Sequence, residues 1–291
     1  MKERIFHLVF AMTMGIILAG CGGGGGDSSS STGTISMNIT DAKPVLPVLG
    51  TVESVSITFD EVSVHKSGGG WVTLTAVQQP YTIDLYQFSD GIKTQFVPPV
   101  ELTSGNYTQV RIGVTSGTIR INGVDHPLGI PSSNLKTDKN FEFDVAGGRA
   151  VDLTVDFDLS QSIVVTGVGT YQLKPVLHIN KTSEAATIQG TINFGSSTTQ
   201  ATVIVTWDKN GDGTFQAASD SNPDEEYTRL LVQSTDPAPF RVFWLVPNQG
   251  YFIQVLLGNP QSPARDTGRV YVPPRDLSPG AVYNLNNGNS I

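Results

Sequence analysis

The chain has 291 residues, of which 38 % are hydrophobic and 15 % charged. That is enough apolar material for two ordinary cores, and too few charges for a highly solvated chain. Eighteen Lys and Arg against 26 Asp and Glu give a formal charge of −8, a field that disfavours a polyanionic partner such as nucleic acid. A single Cys excludes an intramolecular disulfide framework and any metal site built from several thiolates.

Lys2 and Arg4 open the sequence and an apolar run from Ile5 to Ala19 follows. The run is shorter than the roughly 20 residues that a spanning helix needs, and it has the length of a secretory h-region. It ends in Leu18-Ala19-Gly20-Cys21, which resembles the lipobox of bacterial lipoproteins. The small residues Ala19 and Gly20 give a peptidase access to the backbone, and the Cys21 thiol is the nucleophile that accepts a diacylglyceryl group. The resemblance implies residues 1–20 as a removable signal peptide, a lipidated Cys21, and anchoring in the lipid bilayer by acyl chains. Gly22 at the following position implies sorting to the outer membrane. Residues 21–33, dominated by Gly and Ser, have little to bury and read as a flexible tether.

Period-two alternation starts at Ile35, Met37 and Ile39. Val55, Ile57 and Phe59 continue it, and the phase then slips to Val62 and Val64, which calls for a β-bulge near Asp60-Glu61. Ser67 to Gly70 is a turn before Trp71, and residues 85–94 hold the one expected helical turn of this half. Tyr107–Val114 and Ile119–Leu128 read as paired strands, with Asn122-Gly123 supplying a two-residue hairpin turn. Val151, Leu153, Val155, Phe157 and Leu159 form the longest regular alternation. Eight or more strands without an amphipathic helix predict a β-sandwich or barrel over residues 34–182.

Thr40-Asp41-Ala42, the strand from Ser54 to His65, Gly70-Trp71-Val72, Gly105 to Arg111, Asp156-Phe157-Asp158 and Leu173-Lys174-Pro175-Val176 recur in this order. Together they resemble the domain-of-unknown-function 4382 family of bacterial envelope lipoproteins. The resemblance implies an extracytoplasmic β-sandwich and brings no activity with it. Asp152, Asp156 and Asp158 fall opposite the apolar stripe and read as a solvated strand face. Their spacing, about 7 Å between alternate residues, is too wide for a cation without ligands from a neighbouring strand. His65, His126 and His178 are too scattered for a metal triad and read as edge or surface residues. No Gly-x-Ser-x-Gly elbow surrounds any serine.

Alternation restarts at Thr187, and about seven further strands separated by Pro-rich loops predict a second, smaller β-sandwich over residues 185–291. Ile188-Gln189-Gly190-Thr191-Ile192, Phe243 to Pro247 and Gly250 to Val255 resemble the carboxypeptidase regulatory-like, prealbumin-type fold, which implies a binding or spacer module. Between two of these strands lies Asp208-Lys209-Asn210-Gly211-Asp212-Gly213-Thr214. Oxygen ligands at positions 1, 3 and 5, Gly at 6 and a carbonyl at 7 match the first half of an EF-hand calcium loop. Position 12 is Ser219 rather than Glu, so Asp220, Asp224, Glu225 or Glu226 would have to complete a structural calcium site; the alternative is a metal-free polar hairpin. Trp244, between Phe243 and Leu245, reads as core, whereas Trp207 beside the acidic loop is the better platform for stacking a ligand such as a sugar.

The sequence therefore predicts an all-β protein of two sandwiches behind a lipoprotein leader. It is expected to bind or scaffold in the cell envelope without catalysis, with polysaccharide or another envelope protein as partner. The alternative is a calcium-dependent carbohydrate-binding module at the cell surface.

Overall fold

A computed structural model describes residues 31–41, 44–46, 50–74, 80–136, 141–194, 199–233, 237–260 and 262–285. The leader, Cys21 and most of the tether lie outside the described residues. Among those that are described, no helix is long and apolar enough to cross a membrane.

The protein is almost entirely β. The first half contains β1 (Thr32–Thr40), β2 (Val52–Lys66), β3 (Trp71–Thr73), β4 (Tyr81–Asp84), β5 (Thr94–Thr103), β6 (Gly105–Ile121) and β7 (Val124–Gly129). It continues with β8 (Asn134–Lys136), β9 (Phe143–Val145), β10 (Ala150–Phe157), the one-turn helix α1 (Leu159–Ser162), β11 (Ile163–Gly167), β12 (Thr170–Leu173) and β13 (Leu177–Lys181), and a 3-10 turn at Leu85–Gln87 falls within the expected 85–94. The second half contains β14 (Ala186–Ile192), β15 (Gln200–Asp208), β16 (Glu225–Gln233), β17 (Ala238–Leu245), β18 (Gly250–Asn259), β19 (Ser262–Val272) and β20 (Val282–Asn284).

Two sheets face each other in the first half. One has the order β13-β10-β1-β5, and the other runs β11-β12-β7-β6-β2-β3 with β4, β8 and β9 attached. The alternation read from the sequence sets which side chains go inward: Ile35, Met37, Ile39, Leu153, Val155 and Phe157 are fully buried. Phe59 meets Phe96 edge-on at 5.1 Å and Phe157 at 6.3 Å, tying β2 to the opposite sheet. The register of β2 on β6 shifts on both sides of Phe59, at Thr58/Phe59 and Phe59/Glu61, so the expected bulge is present and returns Val62 and Val64 to the core. In the second half, β17-β14-β20 packs on β16-β15-β18-β19 around a separate core from Ala186 to Leu277.

Three expectations change. First, Tyr107–Val114 and Ile119–Leu128 are not two paired strands: Gly105–Ile121 is one strand, and the hairpin joins it to β7. Asn122 (φ 49°) and Gly123 (φ 77°) are both left-handed, the backbone that a two-residue turn of this twist requires. Second, the alternation through Leu159 ends at Phe157, because the Asp158 side chain accepts from Gln161 N and caps a turn of helix. Third, the Asp152–Asp158 face is solvated only at Asp152, whose side chain is 40 % exposed. Asp156 is 3 % and Asp158 1 % exposed, because the second half packs over the end of β10.

Phe59→Ala should cost about 3–5 kcal/mol, the usual loss for a buried Phe. Urea unfolding would measure it, and a loss below 1 kcal/mol would mean that Phe59 does not bridge the two sheets.

Candidate functional site

Residues 31–291 form one compact unit, and the two cores meet along a polar seam. The backbone carbonyl of Tyr227, on β16, is a point where contacts from the first half converge. It accepts from Gln161 Nε2 (2.8 Å), on α1, and from His178 Nε2 (2.8 Å), on β13. The His178 ring also stacks on the Tyr227 ring with centroids 3.9 Å apart. Ser160 donates to the carbonyl of Arg229, and Asn180 Nδ2 donates to the carbonyl of Trp244 at 2.5 Å. His178, expected at an edge or surface, is thus half-buried in the joint between the halves.

One side of this seam opens as a groove of about 450 Å3, within the usual range for small-ligand sites. Phe141, Glu142 and His178 come from the first half, and Trp207, Val246 and Gln249 from the second. Trp207 is half-buried, as a residue at the end of β15 where the core tapers off. Its Nε1 donates to Gln249 Oε1 at 3.3 Å, which fixes the indole plane, and Tyr227 meets it edge-on at 6.4 Å. Lys181 and Glu184, paired at 3.2 Å, add charge at the rim. An aromatic wall beside amide, carboxylate and ammonium groups suits a polar ligand with one apolar face. The sequence singled out Trp207 alone, since its neighbours in the groove arrive from segments far along the chain.

The acidic loop follows Trp207 directly. Asp208 is 1 % exposed, and both of its oxygens are used. Oδ1 accepts from Gly211 N, while Oδ2 accepts from Gly213 N and from the Tyr271 hydroxyl at 2.8 Å. Asn210 Oδ1 accepts from Asp212 N, and Asp212 Oδ1 accepts from Thr214 N at 2.7 Å. The loop therefore turns about its own side-chain oxygens, on the spacing that suggested calcium ligands. Asp220 lies in the next turn, where Oδ2 accepts from Ala217 N. Asp224 closes the loop instead, accepting from Lys209 N and Gln216 N. Among the described residues, no three His, Cys, Asp or Glu side chains gather closely enough to hold a metal ion by themselves. Burial and the Asp208 hydrogen bond push the Tyr271 phenol up to about 12, with the charges of Asp208, Asp212 and Asp224 adding to the shift. Tyr271 therefore stays a donor at any physiological pH. Nothing in the sequence connects it to Asp208, 63 residues earlier; β19 brings it there through its pairing with β18.

Residues 32–175 match the family model described as a domain of unknown function (DUF4382). A search of curated proteins finds no match. Among solved structures, the Bacillus anthracis TIE protein is 11 % identical with a TM-score of 0.21; the match covers 87 % of this chain but only 33 % of that one. The fimbrial anchor protein Mfa2 from Porphyromonas gingivalis is 8 % identical with a TM-score of 0.20, covering 81 % of this chain and 82 % of that one. The streptococcal ancillary pilin is 13 % identical with a TM-score of 0.17, covering 89 % and 63 %. Scores of this size establish neither a shared fold nor a shared role.

Tyr271→Phe should lower stability by about 1.5–3 kcal/mol, the usual worth of a hydrogen bond to a charged group. Gly250→Ala should act on the same contact, because an added Cβ would sit 2.6 Å from the Tyr271 hydroxyl and 3.0 Å from Asp208 Oδ2. Urea unfolding of both variants is the measurement. Wild-type stability in both would show that Tyr271 does not hold the loop.

Proposed function

We propose that this protein is a lipid-anchored component of the bacterial cell envelope that binds or scaffolds other envelope molecules without catalysing a reaction. The observation that carries the reading is the seam, which joins two β-sandwiches into one body with a ligand-sized groove along the joint. The lipobox at Leu18–Cys21 supports anchoring through Cys21, and Gly22 supports the outer membrane as its destination. The Gly/Ser segment after Cys21 would hold the folded body away from the bilayer. The second half then serves as a binding or spacer module, in keeping with the resemblance to carboxypeptidase regulatory-like domains.

Trp207 favours a second reading, that of a calcium-dependent carbohydrate-binding module. Its ring lines the groove with its plane fixed by Gln249, and the loop that would take calcium begins at the next residue, Asp208. In that reading Asp208, Asn210, Asp212 and Thr214 hold the ion, with Asp220 or Asp224 adjusting to complete it. The ion orders the strand end that carries Trp207 and takes no part in chemistry.

Cys21→Ser should leave a longer precursor that no longer partitions into detergent; unchanged partitioning would overturn the anchoring. The carbohydrate reading predicts retention on an insoluble polysaccharide that weakens at least about tenfold in Trp207→Ala, the cost of losing a well-packed aromatic anchor. It also predicts weaker retention in chelator. If retention is the same in chelator and in Trp207→Ala, the groove is not a calcium-dependent sugar site. At about 10 mM calcium and a dissociation constant near 10⁻⁴ M, linkage adds about 2.7 kcal/mol to the second half. Asp208→Ala should abolish that gain.

A further inference from the structure

At the seam lies a second, small cavity of about 20 Å3, bordered by Asp41, Asp90 and Asp156 from the first half and by Thr228, Arg241 and Trp244 from the second. It exceeds the roughly 10–15 Å3 that one water needs. Asp156 Oδ1 and Trp244 Nε1 are among the polar atoms of its lining that are buried without a hydrogen-bond partner among the protein atoms. The Trp244 backbone is left-handed, at φ 61°, an unusual state for a bulky residue. It is held there by the hydrogen bonds that its carbonyl accepts from Asn180 Nδ2 and the Tyr227 hydroxyl. Strain of this kind persists only where the surroundings over-determine it, and here the residue that carries it lines the same cavity as Asp156.

We propose that one water molecule in this cavity bridges Trp244 Nε1 to a neutral Asp156 carboxyl, and that the proton on Asp156 latches the two β-sandwiches together. The water accepts the indole N–H and donates to Asp156 Oδ1. A bound cation is disfavoured, because the indole N–H presents its positive end to the same space.

The charged and titratable groups around Asp156 favour the neutral acid. Asp158 lies two residues along the chain at the cap of α1, and Asp41 follows Thr40, the partner of Asp156 on β1. On β13 the partner is His178, which donates to the Tyr227 carbonyl, and Tyr227 faces the carboxyl from β16. From β17 and the loop before β5 come Arg241 and Asp90, both exposed, while Lys93 lies over the Trp244 ring at 5.3 Å and pairs with Asp152 at 3.6 Å. Burial pushes the Asp156 carboxyl well above the usual carboxylate range, and the charge of Asp158 pushes it further. The sign follows. A carboxyl whose pKa is raised on folding contributes stability that is complete below its unfolded value, about 3.9, and is lost as pH rises through the folded value. The latch is therefore tight in acid and looser in base, and the groove walls loosen with it through His178, the strand partner of Asp156, and Tyr227, which donates to the Trp244 carbonyl.

The test is thermal unfolding of the full chain between pH 4 and pH 8, for wild type and Asp156→Asn. The asparagine has the shape of the neutral acid and cannot ionise. The two should melt together at pH 4, and by pH 8 the variant should be the more stable by about 4 °C. The infrared difference spectrum between them at pH 7 should show the carbonyl stretch of a neutral carboxylic acid. Trp244→Phe, which removes the N–H, should melt a few degrees lower at every pH and keep the pH dependence of wild type. If Asp156→Asn is destabilised across the whole range, or if no neutral-acid band is present, Asp156 is ionised and the latch is overturned. A melting temperature that rises with added cation in Asp208→Ala, which lacks the calcium loop's own response, and no longer rises once Asp156→Asn is added, would overturn it in favour of a metal. Trp244→Phe melting as wild type does would remove the bridging water from the proposal.

Discussion

The joint between the halves turns on the carbonyl of Tyr227, where two side chains of the first half meet one acceptor of the second. That carbonyl lies on an edge strand of the second sandwich, where a backbone acceptor facing away from its own sheet would ordinarily meet water. Here it takes two side-chain donors from the first sandwich, Gln161 and His178, and the Tyr227 ring lies flat against the same histidine. Each sandwich closes its own hydrophobic core without the other, so apolar burial alone does not fix their relative position. Directional hydrogen bonds do, since they are satisfied in one arrangement and leave buried polar atoms exposed to a large penalty in any other. The groove beside Trp207 and the cavity beside Asp156 are two faces of that single joint.

Most of the fold was legible because its driving pattern is local. Alternate burial along β1, β2 and β10 shows directly in the positions of Ile, Val, Leu and Phe, and a change of phase has one inexpensive repair, so the bulge beside Phe59 could be placed from sequence. Strand ends were less legible. Thr115-Ser116-Gly117 has the composition of a turn, yet β6 continues through it because β2 pairs with Val114, Ser116 and Gly117 and the register shift takes up Thr115. Leu159 keeps the apolar alternation going although the chain has already turned, because the capping carboxylate of Asp158 decides the geometry there.

The site was legible only where its residues are sequential. The turn-forming oxygens of Asp208, Asn210 and Asp212 follow from spacing, and the structure places them about one loop. Their external support, Tyr271, and the groove partners of Trp207 depend on pairings between strands many residues apart. The largest misjudgement concerned Asp156 and Asp158. A polar strand face looks solvated when one sandwich is considered by itself, and only the second sandwich, packed over the end of β10, turns that face inward.

The placement of β1 matters in one further respect. It lies between β10, with which it runs parallel, and β5, with which it runs antiparallel, so both of its edges are bonded along their length. Tension transmitted through the N-terminal segment would enter the fold at Thr32 and act along the strand axis. Two ladders would then be loaded in shear, and their hydrogen bonds would have to fail together instead of peeling apart one by one. A body attached to a surface by that end and pulled by whatever it holds would meet the load with its most firmly sandwiched strand.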